Sequence, residues 1–192
     1  MTTTKDRILL CARSLYAEHG LPALSMRKVA KEAGLSPMAI YRHFASKEDL
    51  LEQLLIQGFR TFGPYLERGL AGQTAMERLW LTAEGYLDFA CECSKDYELL
   101  FLAIDPSNHL KIQQAIRAEA RATFNVLIDR VRDCIDAGVF APGPARKIAL
   151  SLLAQVNGLV ALYLSGNFGW SRKQFAGVYR DSIERIFQGF LA

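Results

Sequence analysis

Residues 36–47 read SPMAIYRHFASK and put a hydroxyl, a phenol, a guanidinium, an imidazole and an ammonium into one short stretch. All five side chains donate hydrogen bonds, a set suited to holding a polyanion. Ser36, Tyr41 and His43 can donate to phosphate oxygens, which fixes register without reading sequence. Arg42 can give two hydrogen bonds to a guanine or pair with a phosphate, and Pro37, Met38 and Ala39 can touch a thymine methyl. Lys47 falls in the first turn of the next helix, where the helix dipole disfavours a cation, so helix stability does not account for it. Ile40 and Phe44, four apart, are left to dock the segment on a core.

Groups suited to catalysis are sparse. There is no G-x-S-x-G, no H-E-x-x-H and no P-loop, and the three histidines are His19, His43 and His109. Glu84 and Asp88 share a helix face at four-residue spacing and read as a solvated pair rather than as catalytic carboxylates. Cys11, Cys91, Cys93 and Cys134 form no C-x-x-C pair and read as free, mostly buried thiols. The chain is therefore expected to be no enzyme, to hold no metal and to need no cofactor, with a small-molecule effector the only ligand left open.

The elements that must position residues 36–47 are helical. Of 192 residues, 51% are hydrophobic and 22% charged, enough to bury a core. Thr3 with Asp6, Ser46 with Asp49, Thr74 with Glu77 and Ser171 with Gln174 have capping-box spacing, while Gly20, Gly34 and Gly138 have the position of helix stops. About nine helices follow, and the fold class is all-α. Two of them, at about 25–33 and 37–44, are joined by Gly34-Leu35-Ser36 at the spacing of a helix-turn-helix. The boundaries expected are a three-helix head at 1–48 and a helical ligand-binding and dimerisation domain at 49–192. The first 50 residues hold 8 Lys/Arg against 5 Asp/Glu and the remainder 15 against 15, so the net charge of +3 sits in the first quarter of the chain. The N-terminus lacks the apolar block of a signal peptide and no eighteen uncharged apolar residues run together, so a soluble, cytoplasmic protein is expected.

Tyr41-Arg42-His43-Phe44 followed by Lys47 and Leu50-Leu51 resembles the Y-x-H-F-x-x-K-x-x-L-L signature of the tetracycline-repressor (TetR) family, and Ala17, Gly20, Ser25, Val29, Ala30, Gly34 and Ser36 fit the same pattern without a gap. The resemblance covers residues 5 to 60. It implies a dimeric helical regulator of transcription, a repressor released from palindromic DNA by a small ligand. It also implies DNA-facing residues at Ser25, Arg27, Ser36, Pro37, Met38, Ala39, Tyr41, Arg42, His43 and Lys47. Met38 stands where smaller residues are common. Gln155-Val156-Asn157-Gly158-Leu159 resembles a WHG-type C-terminal domain, with Asn157 at the usual histidine.

Beyond residue 50 the chain is rich in aromatic residues, most of which a helical core would absorb. Phe59, Phe62, Tyr86, Phe89, Phe101 and Ile112, with His109 and Asn157 as polar contacts, are the set expected to line a pocket for a small apolar or aromatic effector. The last two helices are apolar on more than one face. Leu150, Leu153, Ala154, Gly158 and Ala161, then Phe175, Val178, Ile183 and Ile186, are expected to meet a second copy across a two-fold axis. Such a dimer would set its reading helices about 34–36 Å apart, one turn of B-DNA. A rival reading is a DNA-bound scaffold whose C-terminal helices recruit protein without a small ligand.

Overall fold

Helix starts follow the side-chain oxygens that take up the otherwise unpaired first-turn amides. Capping boxes at Thr3/Asp6, Thr74/Glu77 and Ser171/Gln174 open α1 (Thr4–His19), α5 (Ala75–Glu92) and α9 (Arg172–Gln188). The computed structural model describes residues 3–103 and 110–192, with side chains for 3–103 and 116–192. The remaining helices among the described residues are α2 (Met26–Glu32), α3 (Pro37–Ile40), α4 (Lys47–Glu67), α6 (Ser94–Phe101), α7 (Leu110–Asp136) and α8 (Ala145–Leu164). Two 3-10 turns, Leu21–Ala23 and Arg68–Ala71, complete the described architecture, and no strand is present among these residues beyond a bridge between Phe140 and Leu191.

The chain divides into two compact units, Met1–Phe59 with Glu98–Glu119, and Arg60–Tyr97 with Ala120–Ala192. The core of the first unit joins Ile8 and Ala12 of α1, Val29 and Ala30 of α2, Ile40 and Phe44, and Leu50, Leu51 and Leu55 of α4. Leu99 of α6 is 2% exposed in the same cluster, with Leu100 and Ile116 packed against it. In the second unit Tyr179 of α9 donates its buried hydroxyl to the Ala83 carbonyl of α5 at 2.8 Å, and the Gln155 amide of α8 donates to Ser182 of α9 at 2.6 Å.

The turn before α3 is tightly specified. Gly34 has φ +66°, a left-handed value that costs glycine nothing. Its N–H donates to the Lys31 carbonyl at 3.1 Å and the Leu35 N–H to the Ala30 carbonyl at 2.8 Å, the two bonds of a Schellman motif. α3 is shorter than its expected span of 37–44. Regular helix ends at Ile40, and Arg42 and His43 continue the winding with i−3 bonds to Ala39 and Ile40. Phe44 closes the segment with an i−4 bond to Ile40 at 3.1 Å. The cysteines are all free, with Cys134 buried and the other three half-buried.

Candidate nucleic-acid interface and effector cluster

Within the first unit, α3 and the winding that follows it bury Ile40 completely and Phe44 to 1% while Met38 stays 74% and Tyr41 52% exposed. Pro37, Arg42, His43 and Arg27 are exposed, and Ala39 and Lys47 are half-buried. Two anchors therefore hold a helix of a single turn whose remaining side chains face outward. Ser25 caps α2 by accepting from the Lys28 N–H at 3.3 Å, and Ser36 caps α3 by accepting from the Ala39 N–H at 3.1 Å. Ser46 accepts from the Asp49 N–H at 3.2 Å, and the Asp49 carboxylate accepts from the Ala45 N–H at 2.8 Å, so the cap of α4 reaches one residue further back than a capping box. Among the described residues Arg27, Arg42 and Lys47 make no ion pair with a carboxylate. Their charge stays available to a phosphate, as contact with nucleic acid needs.

Ser36→Ala should cost about 1 kcal/mol, the ordinary value of an N-cap, and loosen the presentation of α3. Ser36→Asp keeps a capping oxygen but adds a negative charge where a phosphate would lie. Urea unfolding should show the aspartate variant close to the parent, whereas DNA binding should be lost in it more than in the alanine variant.

Four of the residues expected around an effector come together in the second unit. Phe62 meets Tyr86 edge-on at 5.4 Å and Phe89 at 4.7 Å between ring centroids. Asn157 Oδ1 accepts from the Tyr86 hydroxyl at 2.6 Å and from the Tyr97 hydroxyl at 2.8 Å. Burial drives the Tyr86 phenol well above its usual pKa and pushes Tyr97 up to about 12, so both remain donors at neutral pH. Tyr97 was not among the expected residues. It lies on α6, sixty residues before Asn157, and only the fold brings the two together. Phe59 and Phe101 pair with each other at 6.3 Å within the first unit. His109 and the side chain of Ile112 lie outside the described residues.

Glu84 and Asp88 are engaged in ion pairs, Glu84 with Arg180 at 2.7 Å and Asp88 with Arg68 at 2.7 Å and Arg172 at 3.3 Å. Of the set expected at a dimer interface, Leu150, Ala154 and Gly158 are exposed, and Leu153, Ala161, Val178 and Ile186 half-buried. Phe175 and Ile183, at 0% and 1% exposed, belong instead to the chain's own core. Phe175 stacks on Tyr163 at 4.2 Å, a contact within the chain.

Residues 8–54 match the family described as bacterial regulatory proteins of the tetR family, and residues 79–186 the tetracyclin repressor-like C-terminal domain. The WHG-type resemblance thus rests on residues 155–159 alone. The HTH-type transcriptional activator FasR of Mycolicibacterium smegmatis is 28% identical over 153 residues, 78% of this chain and 67% of that protein. The HTH-type transcriptional regulator UidR of Escherichia coli and the HTH-type transcriptional repressor KstR2 of Rhodococcus jostii match over 28% and 43% of their own length. Among solved structures, a protein of unknown function from Rhodococcus sp. RHA1 superposes with a TM-score of 0.86 at 24% identity, covering 100% of this chain and 97% of that one. FadR of Bacillus subtilis in complex with stearoyl-CoA superposes with a TM-score of 0.79 at 21% identity, covering 96% and 98%. These likenesses establish a common fold.

Proposed function

The chain belongs to the TetR family of DNA-binding transcriptional regulators, and from that footing we propose that it is a cytoplasmic repressor that binds a palindromic operator as a homodimer and is released by a small apolar effector. One observation carries this reading: α3 and the winding that follows it to residue 44 expose Met38, Tyr41, Arg42 and His43 while Ile40 and Phe44 are buried. Ser25, Arg27, Ser36, Pro37, Ala39 and Lys47 complete the proposed contact surface. Backbone contacts from Ser36, Tyr41, His43 and Lys47 would fix register, and Arg42 with the apolar side chains would read bases.

The effector reading draws on the Phe62, Tyr86 and Phe89 rings with Asn157 at their polar edge, all within the second unit. α4 is one helix carrying Lys47 at its start and both Phe59 and Phe62 farther on. An effector that shifts α4 would alter the presentation of α3, and it can release DNA only by binding the released state more tightly than the DNA-bound one. Stearoyl-CoA, bound by the FadR relative, is the first probe to try. The alternative of a DNA-bound scaffold without a small ligand draws on the same rings touching each other, since an effector must part them.

Fluorescence anisotropy on a duplex from upstream of the chain's own gene, against a scrambled duplex, tests the DNA reading. The expected result is preference for the first, with affinity falling about 10³-fold or more between 50 and 200 mM salt if roughly six phosphates are contacted. Equal affinity for both duplexes at every salt concentration would overturn it. Added acyl-CoA should weaken the specific complex, and indifference to any apolar ligand would favour the scaffold.

A further inference from the structure

One oxygen in the second unit takes two hydrogen bonds that folding alone does not call for. Asn157 Oδ1 of α8 accepts from the Tyr86 hydroxyl of α5 at 2.6 Å and from the Tyr97 hydroxyl of α6 at 2.8 Å. Those lengths belong to O–H···O bonds and are shorter than the usual N–H···O, so the carboxamide presents its oxygen and not its nitrogen. The two phenol rings stand 82° apart with centroids at 5.9 Å, and their hydroxyl oxygens are 3.4 Å from each other. Two donors carried by separate helices thus converge on one point.

Stability gives little reason for this arrangement. Asparagine is a weak helix former, and exchanging every partner of a buried polar contact for apolar groups of the same shape can be nearly neutral. Phenylalanine at both phenol positions and leucine at 157 would fill much the same space without a polar atom. Burial separates the three members. Tyr86 and Tyr97 are 5% and 0% exposed, whereas Asn157 is half-buried. The donors are enclosed and the acceptor reaches the surface, so the acceptor is the member that can leave.

A carboxamide oxygen is chemically close to the oxygen of a ketone, ester or thioester. Phe62 lies against both Tyr86 and Phe89, so an apolar body attached to such a carbonyl would find aromatic rings beside it. A charged end group is disfavoured, because the burial that keeps both phenols protonated also penalises a carboxylate next to them. We propose that Asn157 Oδ1 stands in for the effector's own polar end, an uncharged carbonyl oxygen that displaces it and accepts from Tyr86 and Tyr97. The inference rests on the effector reading above and adds the chemical class of the ligand.

Isothermal titration calorimetry on the full chain tests it with two matched pairs of probes. The first is stearoyl-CoA and the thioether in which a methylene replaces its carbonyl, and the second is methyl decanoate and decanoate. The thioester should bind about tenfold or more tightly than the thioether, the worth of two hydrogen bonds. The methyl ester should likewise bind more tightly than the carboxylate. In Tyr86→Phe and in Tyr97→Phe, which keep the ring, the thioester's advantage should shrink by about threefold or more. Asn157→Ala should melt below the parent yet bind the thioester more tightly, because both donors are then left without their acceptor. Alanine favours the helix, so this variant should fold, as circular dichroism would report. Equal affinity for thioester and thioether in the parent would overturn the carbonyl site while leaving the effector reading standing. Weaker thioester binding by Asn157→Ala would overturn the displacement, and decanoate binding as tightly as its ester would overturn the uncharged class. Failure of all four probes to bind either the parent or Asn157→Ala would instead remove the effector reading itself, and the proposal with it.

Discussion

Arg42→Ala should weaken binding to the specific duplex by ten- to a hundredfold and leave thermal unfolding nearly unchanged. The side chain is exposed and makes no ion pair among the described residues, so the fold does not depend on it. A guanidinium that donates twice to a guanine is worth about 1–3 kcal/mol of discrimination, which sets the expected factor. Arg42→Lys should recover only part of the loss, since an ammonium cannot reproduce the planar fork. Tyr41→Phe removes one hydroxyl and should cost less, in proportion on both specific and scrambled duplexes if that hydroxyl meets a phosphate. Anisotropy titrations that find both variants equal to the parent would show that α3 is not the reading element.

Gly85→Ala should destabilise the second unit by about 2–3 kcal/mol, the cost of overpacking a site that cannot yield. The added methyl would collide with the Tyr65 carbonyl oxygen, and backbone cannot rotate away as a side-chain tip can. For a chain of this size the midpoint of thermal unfolding should fall by roughly 5–10 °C. The same change at Gly158 meets open space and should leave the monomer equal or slightly more stable. A Gly85→Ala protein that melts with the parent would mean that α4 and α5 are free to separate there.

Local signals were legible in the sequence. The Thr3, Thr74 and Ser171 boxes and the Gly20, Gly34 and Gly138 stops stand where side-chain oxygens and left-handed backbone are needed, and the structure has them all. The outward face of α3 was legible too, because Ile40 and Phe44 left the polar side chains only one direction. What sequence could not specify was which apolar layer a helix meets. Phe175 and Ile183 recur at helical spacing and look equally suited to a partner or to the chain's own interior, and the interior takes them. Periodicity marks a face and not its neighbour. The Tyr86–Asn157–Tyr97 contact was hidden for a related reason, since no spacing rule links α6 to α8.

The first unit is assembled from two stretches of chain, and that bears on how the protein can be cut. Leu99, with Leu100 and Ile116 against it, covers hydrophobic side chains that the first fifty-nine residues cannot cover by themselves. A fragment ending at Phe59 would therefore present a greasy scar to water and clump or unravel, so a minimal reader of DNA cannot be made here by trimming from the C-terminus.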